Sequence, residues 1–501
     1  MGRSYRRFLV LGLDGGTFDL LDPLMAAGEL PFLKSLVHRG VRAPLRSVYP
    51  AKTIPAWYSF ATGRDPGELG IFGFTEPEGE PGGSKLVQTF RPVEAFWDTL
   101  SRVGVKVGVL NFPFRSAYPL HGFVVPGMFT GPSATYPAGL KDEIHETIGA
   151  DYPPELPVFR DAARSEWIAE ATRGVEQRGK VAATLAERHK PGFLFALFRE
   201  TDRVEHQLWN EMSRPAAEIP PDLLNFWRAV DRACEQVDRA FRAGGGPAVT
   251  LVISDHGHGA IQSDFLTNRW LAEERFLVFR GGEDLSRRKL VGRMLLYAHK
   301  IPAARKIMRP LAEFVQEGRR RSKVLELLGG GTSFEQFSDR IDWERTVAFS
   351  HPIPEGIYLN PNNPNLTPER RETIRAEIRR RLEAYPDAHI EVLDPKTIYR
   401  GSNLAQAPAL LIRVDEMCTE PRMDFSYPNP LIRERPDYFC GSGTHRMNGI
   451  LIGAGDGIRP GASPGTLDLV DLAPTILEGM GYDAPSDMAG RSFGGRLGLS
   501  G

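Results

Sequence analysis

Four stretches leave this chain little freedom in how it folds. They are RRFLVLGLDGG (Arg6–Gly16), KVGVLNFPF (Lys106–Phe114), PGFLFALFRETD (Pro191–Asp202) and AVTLVISDHGHG (Ala248–Gly259). Each carries an apolar run with no polar alternation. A strand with one wet face alternates, so an unbroken run must be covered on both faces, as strands inside a parallel sheet are. Segments with helical spacing lie between the runs: Leu21–Gly40, Ser165–His189 and Pro221–Gly244. This alternation predicts an α/β sandwich with a mostly parallel central sheet flanked by helices.

The order of segments predicts an interrupted core. Residues 1–280 form its first part, and 341–501 complete it. GILIGAGDGI and TLDLVDLAPTILEGMG there restore the sheet-and-helix style, after a helix over Thr367–Tyr385 with Thr367 as cap and Glu369 in its first turn. Residues 281–340 break the pattern. Arg287–Lys323 is strongly basic and helical in spacing, and GGGT (Gly329–Thr332) follows as a joint. The insertion reads as a solvated helical face, as a cap that attracts an anionic substrate, or as a basic amphipathic surface making weak membrane contact. No internal repeat is visible.

The formal net charge is −1, so no global field recruits nucleic acid. Cys234, Cys418 and Cys440 are too few and too scattered for a disulfide framework and fit a reducing compartment. FLVLGL is too short for a secretory signal, and no run approaches the ~18 apolar residues of a membrane-spanning helix. The expectation is a soluble, cytoplasmic protein.

Three of the buried runs lead into acidic residues: Asp14, Asp202 and Asp255. Ligands of open α/β sheets bind at the carboxyl ends of strands. Carboxylates gathered at one such edge repel one another unless a cation sits among them. Histidines accompany them. Asp202 and His206 are four residues apart, on one face of a helix. His256 adjoins Asp255 in VISDHGHG, and His445 lies in the Gly-rich GSGTHRMNG. Alone, the Asp202–His206 pair and the lone His445 are patterns common on protein surfaces, and Asp255–His256, at a strand end followed by glycine, is the stronger signal. Together, six carboxylate and imidazole donors exceed one tetrahedral site and suit two sites of three, each with an open position, for zinc or manganese. Two such ions about 3.5–4 Å apart clamp the attacking and leaving oxygens of a phosphoryl displacement. Thr53, in AKTIPAW, supplies a nucleophile, because metal coordination lowers the pKa of a hydroxyl. It also reads as a helix cap, and a helix N-terminus welcomes phosphate.

The ordered set LGLDGG, AKTIPAW…ATGRDPGELGI, DRVEH, SDHG and GTHR resembles the alkaline phosphatase superfamily, in its type I phosphodiesterase/nucleotide pyrophosphatase branch. The resemblance covers the first ~270 residues and the last ~60. It implies that Asp202, His206 and His445 hold one metal. Asp14, Asp255 and His256 hold the other, with Thr53 beside it. It also implies a covalent phospho-threonine that water then attacks.

Two departures qualify it. An Asn about twenty residues after the nucleophile usually binds a phosphoryl oxygen in this branch, and Phe74 stands there. Asn111, Lys52 and His258 are the substitute candidates for substrate binding, with Asn111 preferred. The sulfatase signature is absent, since position 57 is Trp57 rather than Arg. The expected activity is therefore metal-dependent hydrolysis of phosphodiester or pyrophosphate bonds in a phosphorylated small molecule. Transfer of a phosphoryl-containing group to an alcohol and non-catalytic binding of a phosphorylated ligand stand as alternatives.

Overall fold

The computed structural model describes residues 6–79, 82–87, 94–113, 116–127, 135–153, 155–280, 338, 340–423, 429–432 and 441–499. The basic segment Arg287–Lys323 and the GGGT joint fall outside the described residues. Those described form two compact units, one drawn from 1–69, 88–259 and 445–501, the other from 70–87 and 260–444. No described helix is long and apolar enough to cross a membrane.

The first unit is built on an eight-stranded sheet. Its strands are β1 (Arg7–Leu13), β2 (Val41–Arg46), β3 (Val107–Phe112), β4 (Gly122–Pro126), β5 (Phe193–Phe198), β6 (Ala248–Ile253), β7 (Asn448–Gly455) and β8 (Leu467–Asp468). The order across the sheet is β8-β2-β7-β6-β1-β5-β3-β4. β1 runs parallel to β5 on one side and β6 on the other, with Phe8 opposite both Phe193 and Val249. β3 is parallel to β4 and β5, and β8 to β2. Only β7 runs antiparallel, to both β2 and β6. Every residue of β1, β3, β5 and β6 is buried, as their unbroken apolar sequences require.

Helices cover the sheet: α1 (Phe18–Ala26), α2 (Pro31–His38), α3 (Thr53–Thr62), α4 (Arg164–His189), α5 (Glu200–Met212), α6 (Pro221–Ala243) and α7 (Leu472–Gly479). α4 and α6 pack closely because Gly179 faces Ala233; a Cβ on Gly179 would stand 2.7 Å from that of Ala233. The single helix expected over Leu21–Gly40 is two, α1 and α2. The chain turns at Gly28, whose φ of +83° suits glycine, and Pro31 opens α2 at its first position.

The second unit carries a seven-stranded sheet that includes Ser263–Leu266, Gly356–Leu359, Ile390–Leu393 and Leu410–Val414. The helix Pro368–Glu383 buries Ile374, Ile378 and Leu382 in its core with Phe265, Trp270 and Ile412. The Thr367 hydroxyl accepts a hydrogen bond from the Arg370 amide, making it the cap the sequence predicts. Phe74 belongs to this unit, just before the short hairpin of Thr75–Pro77 and Ser84–Leu86.

Candidate metal centre

The site forms where β1, β5 and β6 end. Asp14 directly follows β1, and its backbone N–H donates to Phe198 O, 3.1 Å away at the end of β5. The Thr201 hydroxyl donates to Asp14 O at 2.6 Å, and the Ser254 hydroxyl to Gly16 O at 2.7 Å. These bonds lock three strand ends together. Asp255 is held from the β1 side by the Gly15 N–H, 3.2 Å from Oδ1.

α3 is oriented by its own aromatic residue. Trp57 lies one turn after Thr53 and donates its indole N–H to Asp14 Oδ2 at 3.3 Å. Gly12 makes room, since a Cβ there would lie 2.8 Å from the Trp57 ring. Thr53 is the first helical residue rather than the cap. Lys52 holds the cap position in extended conformation, without a side-chain cap bond. Thr53 is buried all the same, at 2% exposure, in the turn where a helix presents N–H groups to an anion.

Asp202 follows a similar correction. β5 ends at Phe198, and Asp202 sits in the first turn of α5 rather than at a strand end. His206 is one turn on, with Nε2 3.3 Å from Asp202 Oδ1. His445 sits on a short strand, Gly443–Arg446, not in a loop, and is buried. Its Nε2 lies 3.4 Å from Asp202 Oδ1 and 2.9 Å from His206 Nε2. Its Nδ1 lies 2.6 Å from Ala51 O, two residues before Thr53. That bond fixes Nδ1 as the donor and leaves Nε2 for a cation, the usual device for orienting a ligating imidazole. His256 is arranged alike. Nδ1 is 3.1 Å from Gly257 O, while Nε2 is 3.2 Å from Asp255 Oδ2 and 3.7 Å from Asp14 Oδ1. The rings of His256 and His445 stack with centroids 3.7 Å apart. Asp202, His206 and His445 thus converge on one point, and Asp14, Asp255 and His256 on another.

Four of the six converging atoms lack ordinary partners. Asp14 Oδ1, Asp202 Oδ1, Asp255 Oδ2 and His256 Nε2 are buried without a hydrogen bond among the described residues. Burial of such groups is costly unless something else satisfies them. Burial, reinforced by Asp202 and opposed by Arg199, raises the Asp14 carboxyl to about 7. Burial, then Asp14 and Asp202, push Asp255 well above the usual range. Burial alone would raise Asp202 too, but His206 and His445 outweigh it and hold its carboxyl well below that range. Burial keeps His256 and His445 neutral, the form in which imidazole ligates. Buried oxygen and nitrogen donors gathered in this way could hold a metal ion, which would offset the burial and mutual repulsion of the carboxylates.

The substrate-binding candidates divide. The Asn111 amide donates to Leu197 O at 2.8 Å, its carbonyl faces Arg178 at 3.4 Å, and its φ is +63°. It ties β3 to β5. Lys52 is half-buried, and its charge is among those lowering the His445 pKa. His258 is wholly buried with Nδ1 3.8 Å from Asp202 Oδ1, so it joins the cluster.

Sequence reasoning misses three residues. Trp57 and Arg199 hold Asp14, Arg199 with Nε 3.7 Å from Oδ2. Glu205 is fully buried beside His258, with Oε2 3.5 Å from Nδ1. A signal for Glu205 is present in DRVEH, since Asp202, Glu205 and His206 at i, i+3 and i+4 share one helix face.

A family model for type I phosphodiesterase/nucleotide pyrophosphatase matches residues 8–409. No curated protein matches the chain. Phosphonoacetate hydrolase from Sinorhizobium meliloti 1021, solved with phosphonoformate, is similar in fold. Its TM-score is 0.53 at 14% identity over 94% of each chain. Human ectonucleotide pyrophosphatase/phosphodiesterase 5 is similar at TM-score 0.52 and 13% identity over 99% of each chain.

Proposed function

The chain belongs to the type I phosphodiesterase/nucleotide pyrophosphatase family of phosphoester hydrolases, and we propose that it cleaves phosphodiester or pyrophosphate bonds through a covalent phospho-Thr53. Two divalent cations, zinc with manganese as the alternative, would be held by Asp202, His206 and His445 and by Asp14, Asp255 and His256, with Thr53 beside the second set. When bound, they supply the positive charge that lowers the pKa of a hydroxyl and neutralises phosphoryl oxygens.

The protein's own groups do the rest. The Thr53 Oγ bonds to phosphorus as the bond from phosphorus to the leaving oxygen breaks, and the Thr53 proton passes through solvent to that leaving oxygen. Water then breaks the Oγ–P bond, which returns a proton to Thr53 and frees the phosphate product. The first turn of α3 turns backbone N–H groups toward the phosphoryl oxygens. Lys52 adds charge at that turn, and Trp57 keeps Asp14 in register with it.

The observation that carries this reading is the set of buried carboxylate and imidazole atoms without a hydrogen-bond partner among the described residues: Asp14 Oδ1, Asp202 Oδ1, Asp255 Oδ2 and His256 Nε2. Thr53→Ala tests it. Turnover of bis-p-nitrophenyl phosphate should disappear while metal content stays at the wild-type level. Undiminished turnover would sink the covalent route. A panel containing a monoester, a dinucleoside pyrophosphate and phosphonoacetate then sorts the substrate class.

A further inference from the structure

The two-cation reading leaves two buried polar side chains unused. Glu205 is wholly buried, and neither carboxylate oxygen has a hydrogen-bond partner among the described residues. His258 is wholly buried, and neither ring nitrogen has one. The two face each other, with His258 Nδ1 3.5 Å from Glu205 Oε2 and 3.8 Å from Asp202 Oδ1. A well-formed neutral or charged pair would close to about 2.7–3.0 Å. Donors held about 2.0–2.2 Å from one tetrahedral ion stand about 3.3–3.6 Å apart, close to the separations seen.

The surroundings keep this space clear. Gly15 has φ +75°, and a Cβ on it would lie 2.7 Å from Glu205 Oε2 and 2.9 Å from His258 Nδ1. Any larger residue would fill the gap between them. The His258 ring is held edge-on to His206 with centroids 4.5 Å apart, and the Trp209 ring lies near-parallel to it at 6.0 Å. Glu205 rises from the same face of α5 as Asp202.

We propose that Glu205 and His258, together with Asp202, hold a third divalent cation next to the two of the candidate centre. Asp202 would be shared between this position and the one it forms with His206 and His445. The inference rests on the reading of Asp202 as a metal ligand. Its own content is that the Glu205–His258 pair is a binding site and not a neutral packing pair.

The test is metal stoichiometry of the full chain equilibrated with zinc, desalted and measured by elemental analysis. Wild type should hold three zinc ions per chain, and Glu205→Gln and His258→Gln two each. Both variants are near-isosteric, and circular dichroism checks that they fold. Zinc should raise the melting temperature of wild type more than that of Glu205→Gln. Wild type holding two ions, unchanged in both variants, would overturn the third position and leave the two-cation centre standing. A wild-type chain that keeps no zinc would instead defeat the two-cation reading, and the third position with it.

Discussion

Asp14→Asn should make the metal-free protein more stable, not less. Asp14 is fully buried, and its carboxyl is raised from 3.8 to about 7, first by burial and then by the charge of Asp202. A raised carboxyl penalises the folded state as pH climbs past 3.8, and the penalty is complete above about 7. A rise of that size corresponds to about 4 kcal/mol at pH 8, an upper figure because neighbouring carboxylates share the cost. Asn cannot ionise, keeps the shape, and still accepts from the Trp57 N–H. In chelator at pH 8 the variant should therefore gain up to about 4 kcal/mol, seen as several degrees in Tm. At pH 4 the gain should vanish, because Asp14 is then protonated in the folded state. In zinc at pH 8 the order should reverse, since wild type recovers its stability from the cation. Thermal melts of both proteins in chelator and in zinc, at pH 4 and 8, decide it. A variant no more stable than wild type in chelator at pH 8 would refute the claim that the cluster is strained without a cation.

Three further outcomes follow from the same geometry. Zinc affinity measured by chelator competition should rise with pH through about 7, because binding expels the protons that the raised Asp14 and Asp255 carboxyls carry. Trp57→Phe keeps the packing against Phe195 but removes the donor to Asp14. It should cost about 1.5–3 kcal/mol of folding stability in zinc by denaturant titration and weaken zinc binding. Arg178→Met breaks a buried pair, Nε to Glu200 Oε1 at 2.6 Å, at the first residue of α5; a loss of about 3–5 kcal/mol in denaturant midpoints is expected, with zinc stoichiometry of the folded fraction unchanged.

The sheet is legible in sequence because burial on both faces leaves a mark there. FLVLGL, VGVLNF, FLFALF and AVTLVI each become a wholly buried strand. The strand ends before Asp14 and Asp255 are legible because Gly15 and Gly257 follow where the chain turns. Thr53 reads as a cap, yet the cap is Lys52, one residue earlier, a shift that backbone hydrogen bonds decide and composition does not. The break between α1 and α2 is hidden because apolar spacing continues across Gly28. Asn111 looks like a strand-end donor, but its left-handed φ turns the amide back to Leu197. Glu205 escapes notice because a glutamate in a polar helix reads as solvated. Only the packing of α5 against the turn at Gly15 and against His258 shows that it is buried, and sequence spacing alone does not carry that information.

The covalent route through Thr53 is tested most directly by a rapid-quench experiment on the zinc-loaded protein with bis-p-nitrophenyl phosphate, followed by mass spectrometry of the peptide containing Thr53. A p-nitrophenyl phosphoryl group should appear on Thr53 within the first turnover and be lost again as substrate is exhausted. Turnover that proceeds with Thr53 unmodified at every time point would contradict it.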